Sequence, residues 1–209
     1  DGKQISQWFD DIEPDGLVWG ESDYYIAVKD GKKAIFNKDG RMVSPDWFDE
    51  IWKDGLVKGQ SIYYIAIKDG KEAIFDENGK MISPEWFDEI YTKYTGLVWG
   101  ESNYYIAVKD GKYAIFDKDG NMITKEWFDF ILTYGLIEGQ SNYYIACNDY
   151  AYAVYHKSGR RVSDYFSLGL VWFETICEVT FDENLGIVTF SYDNGRDDIL
   201  ELNRIEEQE

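Results

Sequence analysis

The sequence predicts an all-β protein: a tandem repeat of β-meanders of about 40 residues, stacked as an open, superhelical, solenoid-like array. Three observations predict it. Short motifs recur at a fixed period along the chain. Each copy holds a hairpin signal between alternating runs. A single meander cannot bury both of its faces, so neighbouring copies must build the core together.

The period is read from three motifs. Trp-Phe-Asp begins at Trp8, Trp47, Trp86 and Trp127, with Tyr165-Phe166 as a degenerate fifth copy. Tyr-Tyr-Ile-Ala begins at Tyr24, Tyr63, Tyr104 and Tyr143, and Gly-Leu-Val or Gly-Leu-Ile at Gly16, Gly55, Gly96, Gly135 and Gly169. These frame one repeat domain over 1–209, with units at about 6–43, 44–82, 83–123, 124–162 and 163–209. Residues 1–5 match the closing strand of a preceding or shared unit, and 163–209 form a divergent C-terminal cap.

Within a unit the elements follow from local chemistry. In the second unit, residues 63–68 and 71–75 are alternating runs separated by Asp69-Gly70. A two-residue Asp-Gly loop is the strongest short hairpin signal, because a type I′ turn needs positive φ at both positions. The loop Asp76-Glu77-Asn78-Gly79 reverses the chain again into residues 80–82. Before the hairpin, residues 55–59 read as a further short strand, joined through Gln60-Ser61. Each unit is therefore a meander of three or four strands. Between meanders, Ser83-Pro84 is a helix N-cap and first-turn signature, which predicts one helical turn. Its Trp86 and Phe87 are expected to wedge between neighbouring meanders.

Five units also suit a five-bladed β-propeller, which residues 3–6 could close. The open stack is preferred for two reasons. The fifth unit diverges, with longer strands expected over 176–181 and 186–192. The units also alternate in sequence, and an odd-numbered ring would break that alternation.

Composition narrows the function. The 209 residues are 44% hydrophobic, enough for a packed core, so the chain is not disordered despite its charge. A formal net charge of −19 repels phosphate, which argues against nucleic acid and anionic membrane as partners. No apolar stretch is long enough to span a bilayer as a helix, and no leader peptide is recognisable. Cys147 and Cys177 lie too far apart for a paired-cysteine zinc site and are expected to be buried free thiols.

The residues Gly-Lys-Lys-Ala-Ile-Phe-Asn-Lys-Asp-Gly-Arg (31–41), Trp-Phe-Asp-Glu-Ile (47–51) and Gly-Leu-Val (55–57) carry a resemblance. Their pattern resembles the bacterial WG-repeat (KWG) family, whose unit runs roughly Gly-Lys-Trp-Gly-Phe-Ile-Asp-Lys-Xaa-Gly-Lys. The likeness covers units one to four well and unit five weakly. It departs at the Trp-Gly pair, which is Lys33-Ala34, Glu72-Ala73, Tyr113-Ala114 and Tyr152-Ala153 here. The resemblance implies a β-repeat protein of variable repeat number, bacterial and often at the surface. A cell-surface or secreted location is therefore favoured over the cytoplasm. It transfers no catalytic or binding residues.

No catalytic constellation is recognisable. The one histidine, His156, occupies the hairpin-loop position of Asn37, Asp76 and Asp117, which suits a solvated loop residue better than a general base. The acids recur in every copy, whereas catalytic acids are usually unique. Asp117 and Asp119 with Gly120 resemble the start of a calcium loop, but Asp and Gly are equally what a tight turn needs. No cofactor is expected.

The candidate ligand-binding residues come from the alternation of the units. Odd units carry Trp19 with Glu21, Trp99 with Glu101, and Trp172 with Glu174, where even units carry Lys58-Gly59-Gln60 and Glu138-Gly139-Gln140. Two residues apart on a strand, each Trp and Glu would share a face. An aromatic plate beside an acceptor suits a protein partner's hot spot or the stacking face of a sugar. The sequence thus points to a non-catalytic binding or scaffold module that presents an acidic, aromatic-rich surface to a protein. The alternative is a lectin-like carbohydrate-binding module using those Trp/Glu pairs.

Overall fold

In the first four units the chain reverses through a two-residue hairpin with left-handed φ at both positions. The structure, a computed structural model, describes residues 7–91, 95–167 and 176–203. Asp30 and Gly31 have φ of 51° and 73°, Asp69 and Gly70 of 53° and 74°, and Asp110 and Gly111 of 51° and 71°. This is the predicted type I′ geometry, whose twist matches that of the flanking strands. The fourth hairpin has Asp149 and Tyr150 at 49° and 64°, so a tyrosine sits where glycine would be unstrained.

The hairpins organise five antiparallel three-stranded sheets. The first comprises β1 (Asp11–Ile12), β2 (Tyr24–Lys29) and β3 (Lys32–Asn37), and the second β4 (Glu50–Ile51), β5 (Tyr63–Lys68) and β6 (Lys71–Asp76). The third comprises β7 (Glu89–Tyr91), β8 (Tyr104–Lys109) and β9 (Lys112–Asp117), and the fourth β10 (Phe130–Ile131), β11 (Tyr143–Asn148) and β12 (Ala151–His156). The fifth comprises β13 (Ile176–Asp182), β14 (Ile187–Tyr192) and β15 (Asp197–Glu201). In each sheet the strands pair in chain order, so every connection is local. The fifth-unit strands expected over 176–181 and 186–192 are present as β13 and β14, but with seven and six residues they are scarcely longer than the six-residue strands of the other units.

Register explains how the sheets stack. In the second sheet Tyr64 pairs with Phe75 and Ala66 with Ala73, and all four point to one face. Ile65 pairs with Ile74 on the other face. The Ile26 and Ile35 pair of the first sheet packs on the Tyr64, Ala66, Ala73 and Phe75 face of the second. The same layer recurs between the second and third sheets and between the third and fourth. At the last junction, Ile145 and Val154 meet Val179, Val188 and Phe190. Burying each isoleucine contributes about 1.5–3 kcal/mol, so these layers dominate stability.

A cluster of four aromatic rings frames the layer between the first and second sheets. Phe75 lies 5.5 Å from Tyr64 in a stacked pair, 5.3 Å from Phe48 and 5.9 Å from Trp86. The set Phe116, Tyr105, Phe87 and Trp127 repeats it one unit on. The expected wedging of Trp and Phe between meanders is therefore present.

Two expectations fail. The Gly-Leu-Val segments are turns rather than strands. Gly55 and Gly59 both have positive φ (82° and 70°), and Gln60 N–H donates to the Gly55 carbonyl at 2.9 Å, which closes the segment on itself. The Ser-Pro segment forms no helical turn, and no helix occurs among the described residues. Ser83 Oγ instead accepts the Ile74 N–H at 3.1 Å, and Phe87 bridges to Glu72 on the edge of β6. The serine caps a strand donor because the chain must stay extended to carry Phe87 into the layer.

The array is open. No described strand of the first sheet pairs with the fifth, and each terminal sheet leaves side chains in solvent: Ile12 and Val18 at one end, Glu178 and Thr180 at the other. Residues 3–6, the suggested closing strand of a propeller, lie outside the described residues.

Two substitutions probe the turns. Tyr150→Gly should raise stability by about 1 kcal/mol in urea denaturation, because it relieves left-handed strain at an exposed site. Gly59→Ala should cost about 2 kcal/mol or more, since its methyl would come within 2.5 Å of the Glu21 carbonyl oxygen at a positive φ.

Candidate functional site

The Gly-Leu-Val turns stack along one side of the array. A methyl on Gly59 would meet the Glu21 carbonyl, one on Gly100 the Gln60 carbonyl at 2.5 Å, and one on Gly139 the Glu101 carbonyl at 2.4 Å. Only a residue without a side chain permits this approach. Serine hydroxyls tie the first two junctions: Ser22 Oγ donates to the Val57 carbonyl at 2.6 Å, and Ser61 Oγ to the Val98 carbonyl at 2.7 Å. The stack lines up residues 19, 58, 99 and 138 as one ledge, which reads Trp, Lys, Trp, Glu.

On this ledge Trp19 is 64% exposed, whereas Trp99 is half-buried. The predicted pairing of Trp with Glu on one strand face is not formed, because the segment is a turn. Gly16 N–H donates to Glu21 Oε2 at 2.8 Å, so the carboxylate folds back to cap its own turn. In the second unit Gln60 Oε1 accepts from Gly55 N–H at 2.7 Å in the same way. The Glu/Gln alternation therefore conserves an acceptor, and glutamate's charge is not needed for it. Glu101 is exposed and lines a cleft of about 490 Å³ with Asn103, Gln140, Asn142 and Glu183. Trp172 and Glu174 lie outside the described residues.

The other recurrent acids also have structural roles. The aspartate of each Trp-Phe-Asp motif caps a hairpin: Asp10, Asp49 and Asp88 accept from the backbone N–H of Asp30, Asp69 and Asp110, each at 2.7 Å. Asp129 accepts from Asp149 N–H at 2.8 Å. Lys32, Lys71 and Lys112 of each preceding hairpin pair with Asp49, Asp88 and Asp129, so the same acids bridge adjacent units. Those lysine hydrogen bonds, and then the backbone donors, hold the three carboxyls below their usual range.

Asp117 behaves as a turn residue. Its Oδ1 accepts the N–H of Asp119 at 2.9 Å and of Asn121 at 2.8 Å. Partial burial would raise its pKa, but the Asn121 side-chain amide, which donates to Oδ2 at 3.0 Å, and then these backbone donors outweigh it and lower the pKa. Asp76 has the same arrangement, with Asn78 and Lys80 donating at 2.9 Å. Among the described residues no group of three or more His, Cys, Asp or Glu side chains is placed to hold a metal ion. His156 Nδ1 occupies the same capping position, 3.2 Å from Ser158 N, and burial followed by the Lys157 charge pushes its pKa down.

Buried groups are also placed for packing. Burial holds the phenols of Tyr64, Tyr105 and Tyr144 well above the usual tyrosine range, so they stay protonated. Each Tyr-Tyr pair has one buried and one half-buried member. Cys147 is a buried free thiol, and the Cys177 side chain lies outside what is described.

Sequence reasoning missed several exposed apolar side chains: Trp8, Ile12, Val18 and Tyr150. The first three match their counterparts in the next three units in type, so spacing and residue identity do not mark them.

No family model matches the chain, and no curated protein matches it. Among solved structures it is similar to the computationally designed Ika4 protein (13% identity, TM-score 0.38), over 68% of this chain and 87% of that one. Hsv2 of Kluyvelomyces marxianus is 12% identical with a TM-score of 0.42, over 90% of this chain and 59% of that one. The structure of BBS1N in complex with ARL6DN is 11% identical with a TM-score of 0.34, over 95% of this chain and 67% of that one. At such scores the likeness carries no inference about function.

The capping role of the motif aspartates sets a pH dependence. Asp88 has a lowered pKa in the folded state, so its contribution is complete above the usual carboxylate pKa of about 3.9 and fades as pH falls through the folded value. Asp88→Ala should lower the urea midpoint at pH 7, and the gap from the parent chain should close towards about pH 3. An equal gap at both pH values would show that the carboxylate charge is not what matters.

Proposed function

We propose that the chain is a non-catalytic binding module that presents an acidic, aromatic-rich surface to a protein partner. One observation carries this reading: the recurrent acids are engaged in capping turns and bridging units, while large apolar side chains such as Trp19 remain in solvent. Polar groups committed to holding the scaffold are poor candidates for acid–base chemistry. Exposed aromatics with two rotatable bonds are efficient anchors for a partner. The net charge of −19 favours a partner with a basic contact surface. The resemblance to the WG-repeat family is held as part of this proposal, as is a cell-surface or secreted setting.

A carbohydrate-binding reading is favoured by one feature, the exposed indole of Trp19, which could stack on a sugar ring. It is weakened by Glu21, one of whose oxygens is already engaged in the Gly16 cap.

A triple variant, Trp19→Ala, Trp99→Ala and Trp172→Ala, verified as folded, separates the two. The parent chain is expected to retain a protein partner in a quantitative pull-down, with retention at least about tenfold weaker for the variant. Glycan-array binding by the parent that the folded variant loses would replace the protein reading with the carbohydrate one.

A further inference from the structure

One position on the hairpins changes its chemistry from unit to unit. It is Lys33 in the first unit, Glu72 in the second and Tyr113 in the third, each bridged to the phenylalanine of the next Trp-Phe-Asp motif. Its side chain stands between one residue of its own unit and one of the next. Around Lys33 these are Glu13 and Glu50: Lys33 Nζ lies 2.5 Å from Glu13 Oε1 and pairs with Glu50 as well. Around Tyr113 they are Tyr91 and Phe130, both edge-on, with ring centroids 6.2 and 5.5 Å away. The chain therefore fills the first niche with its own ammonium between two carboxylates, and the third with three aromatic rings.

In the niche between them the same three positions hold Trp52, Glu72 and Glu89. Trp52 N–H donates to the Ile65 carbonyl at 2.9 Å, as Glu13 N–H does to Ile26, so the backbone placement is the same. Glu72 is only 9% exposed, yet its carboxylate meets a single donor, the Ile90 N–H at 2.7 Å from Oε2, which leaves Oε1 without one among the described residues. In the first niche the equivalent N–H, that of Ile51, is taken by Glu50. Glu72 has thus displaced Glu89 from this role, and Glu89 stands exposed. Among the described residues no cation pairs with either acid. The lysines of the flanking hairpins are engaged elsewhere, Lys71 by Asp88 and Lys109 by Glu85. Burial pushes the Glu72 carboxyl up, the Ile90 N–H pulls it down, and the Glu89 charge raises it again. A buried carboxylate without a counter-ion is costly to keep, and Trp52 beside it is 38% exposed.

We propose that Trp52, Glu72 and Glu89 bind the ammonium group of a lysine side chain supplied by a protein partner. Lys33 is the internal precedent, an alkylammonium held by two carboxylates in the equivalent niche. Two changes adapt the second niche to a cation from outside. Glu72 replaces the chain's own lysine, and Trp52 replaces Glu13, which offers an indole face to the cation and its methylene stem. Arginine fits less well, because Glu72 has one oxygen already engaged and cannot accept a bidentate fork. This inference rests on the protein-binding reading and names the side chain that the partner contributes.

The probe is Nα-acetyl-lysine methylamide, with its Nε-acetylated form as the neutral control. Titration with the charged probe should shift the Trp52 indole N–H resonance saturably, and the control should leave it in place. Glu72→Gln keeps an acceptor for the Ile90 N–H, so the fold is retained, and it should weaken probe binding by about tenfold or more. Glu72→Lys should abolish binding and raise the thermal midpoint, since its own ammonium would reach Glu89 as Lys33 reaches Glu50. Equal shifts by the charged and neutral compounds would overturn the proposal. So would a probe affinity that Glu72→Gln leaves within about twofold. Putrescine binding about tenfold tighter than the probe, and equally sensitive to Glu72→Gln, would assign the niche to a free polyamine and overturn the partner lysine. These titrations use no lysate partner, so they can fail while the pull-down succeeds, or the reverse.

Discussion

The inter-sheet layer is the interaction on which the rest of the structure depends. Two isoleucines, side by side on one sheet, press onto two alanines side by side on the next, with a stacked tyrosine and phenylalanine at the margin. The alanines matter because they are small: they let the backbones of successive sheets approach while the isoleucines fill the gap. Larger residues on both sides would overfill the layer, and small ones on both sides would leave a void. Once this spacing is set, the turns must meet at backbone distance, which is why glycine is needed at residues 59, 100 and 139.

The acidic composition makes sense against that constraint. A three-stranded meander has many turns for its size, and every turn leaves backbone N–H groups without ladder partners. Carboxylates and amides answer them: Asp10 and Asp49 at the hairpins, Asp76 and Asp117 at the second reversals, Glu21 and Gln60 at the glycine turns. Part of the negative charge is thus a by-product of turn capping. It still gives the surface its field, so a scaffold requirement and a partner preference arise from the same side chains.

Much of the fold was legible in the sequence. The repeat period, the Asp-Gly hairpins and the wedging Trp-Phe pairs are local or periodic signals, and the structure has all three. The two misread segments share a cause: their local propensity was outvoted by neighbours. Residues 55–59 hold a Leu-Val pair that reads as a short strand, but the glycines at both ends close a turn that fits the stack. Ser83-Pro84 looks like a helix start, but Phe87 is held extended by its bridge to Glu72. For the candidate site, the alternation of Trp and Lys was visible, while the use of Glu21 as a cap was not. A capping role depends on where a side chain folds, and spacing alone carries no such information. The exposure of Ile12 and Val18 was hidden for a different reason: those residues look like their buried counterparts, and only the absence of a covering sheet among the described residues sets them apart.

The sameness of the first three layers has an evolutionary consequence. Because each junction joins the same two faces, a duplicated unit inserted between existing units meets neighbours it already fits. No compensating change is needed elsewhere, so the number of units can drift by unequal crossing-over with little penalty. The fifth unit cannot be copied inward in this way. Its layer uses Val179, Val188 and Phe190 in place of the alanine floor, and its far side carries Glu178, Thr180 and an exposed Ile199. Lineages carrying this architecture should therefore vary in the count of units like the first four and agree on the fifth.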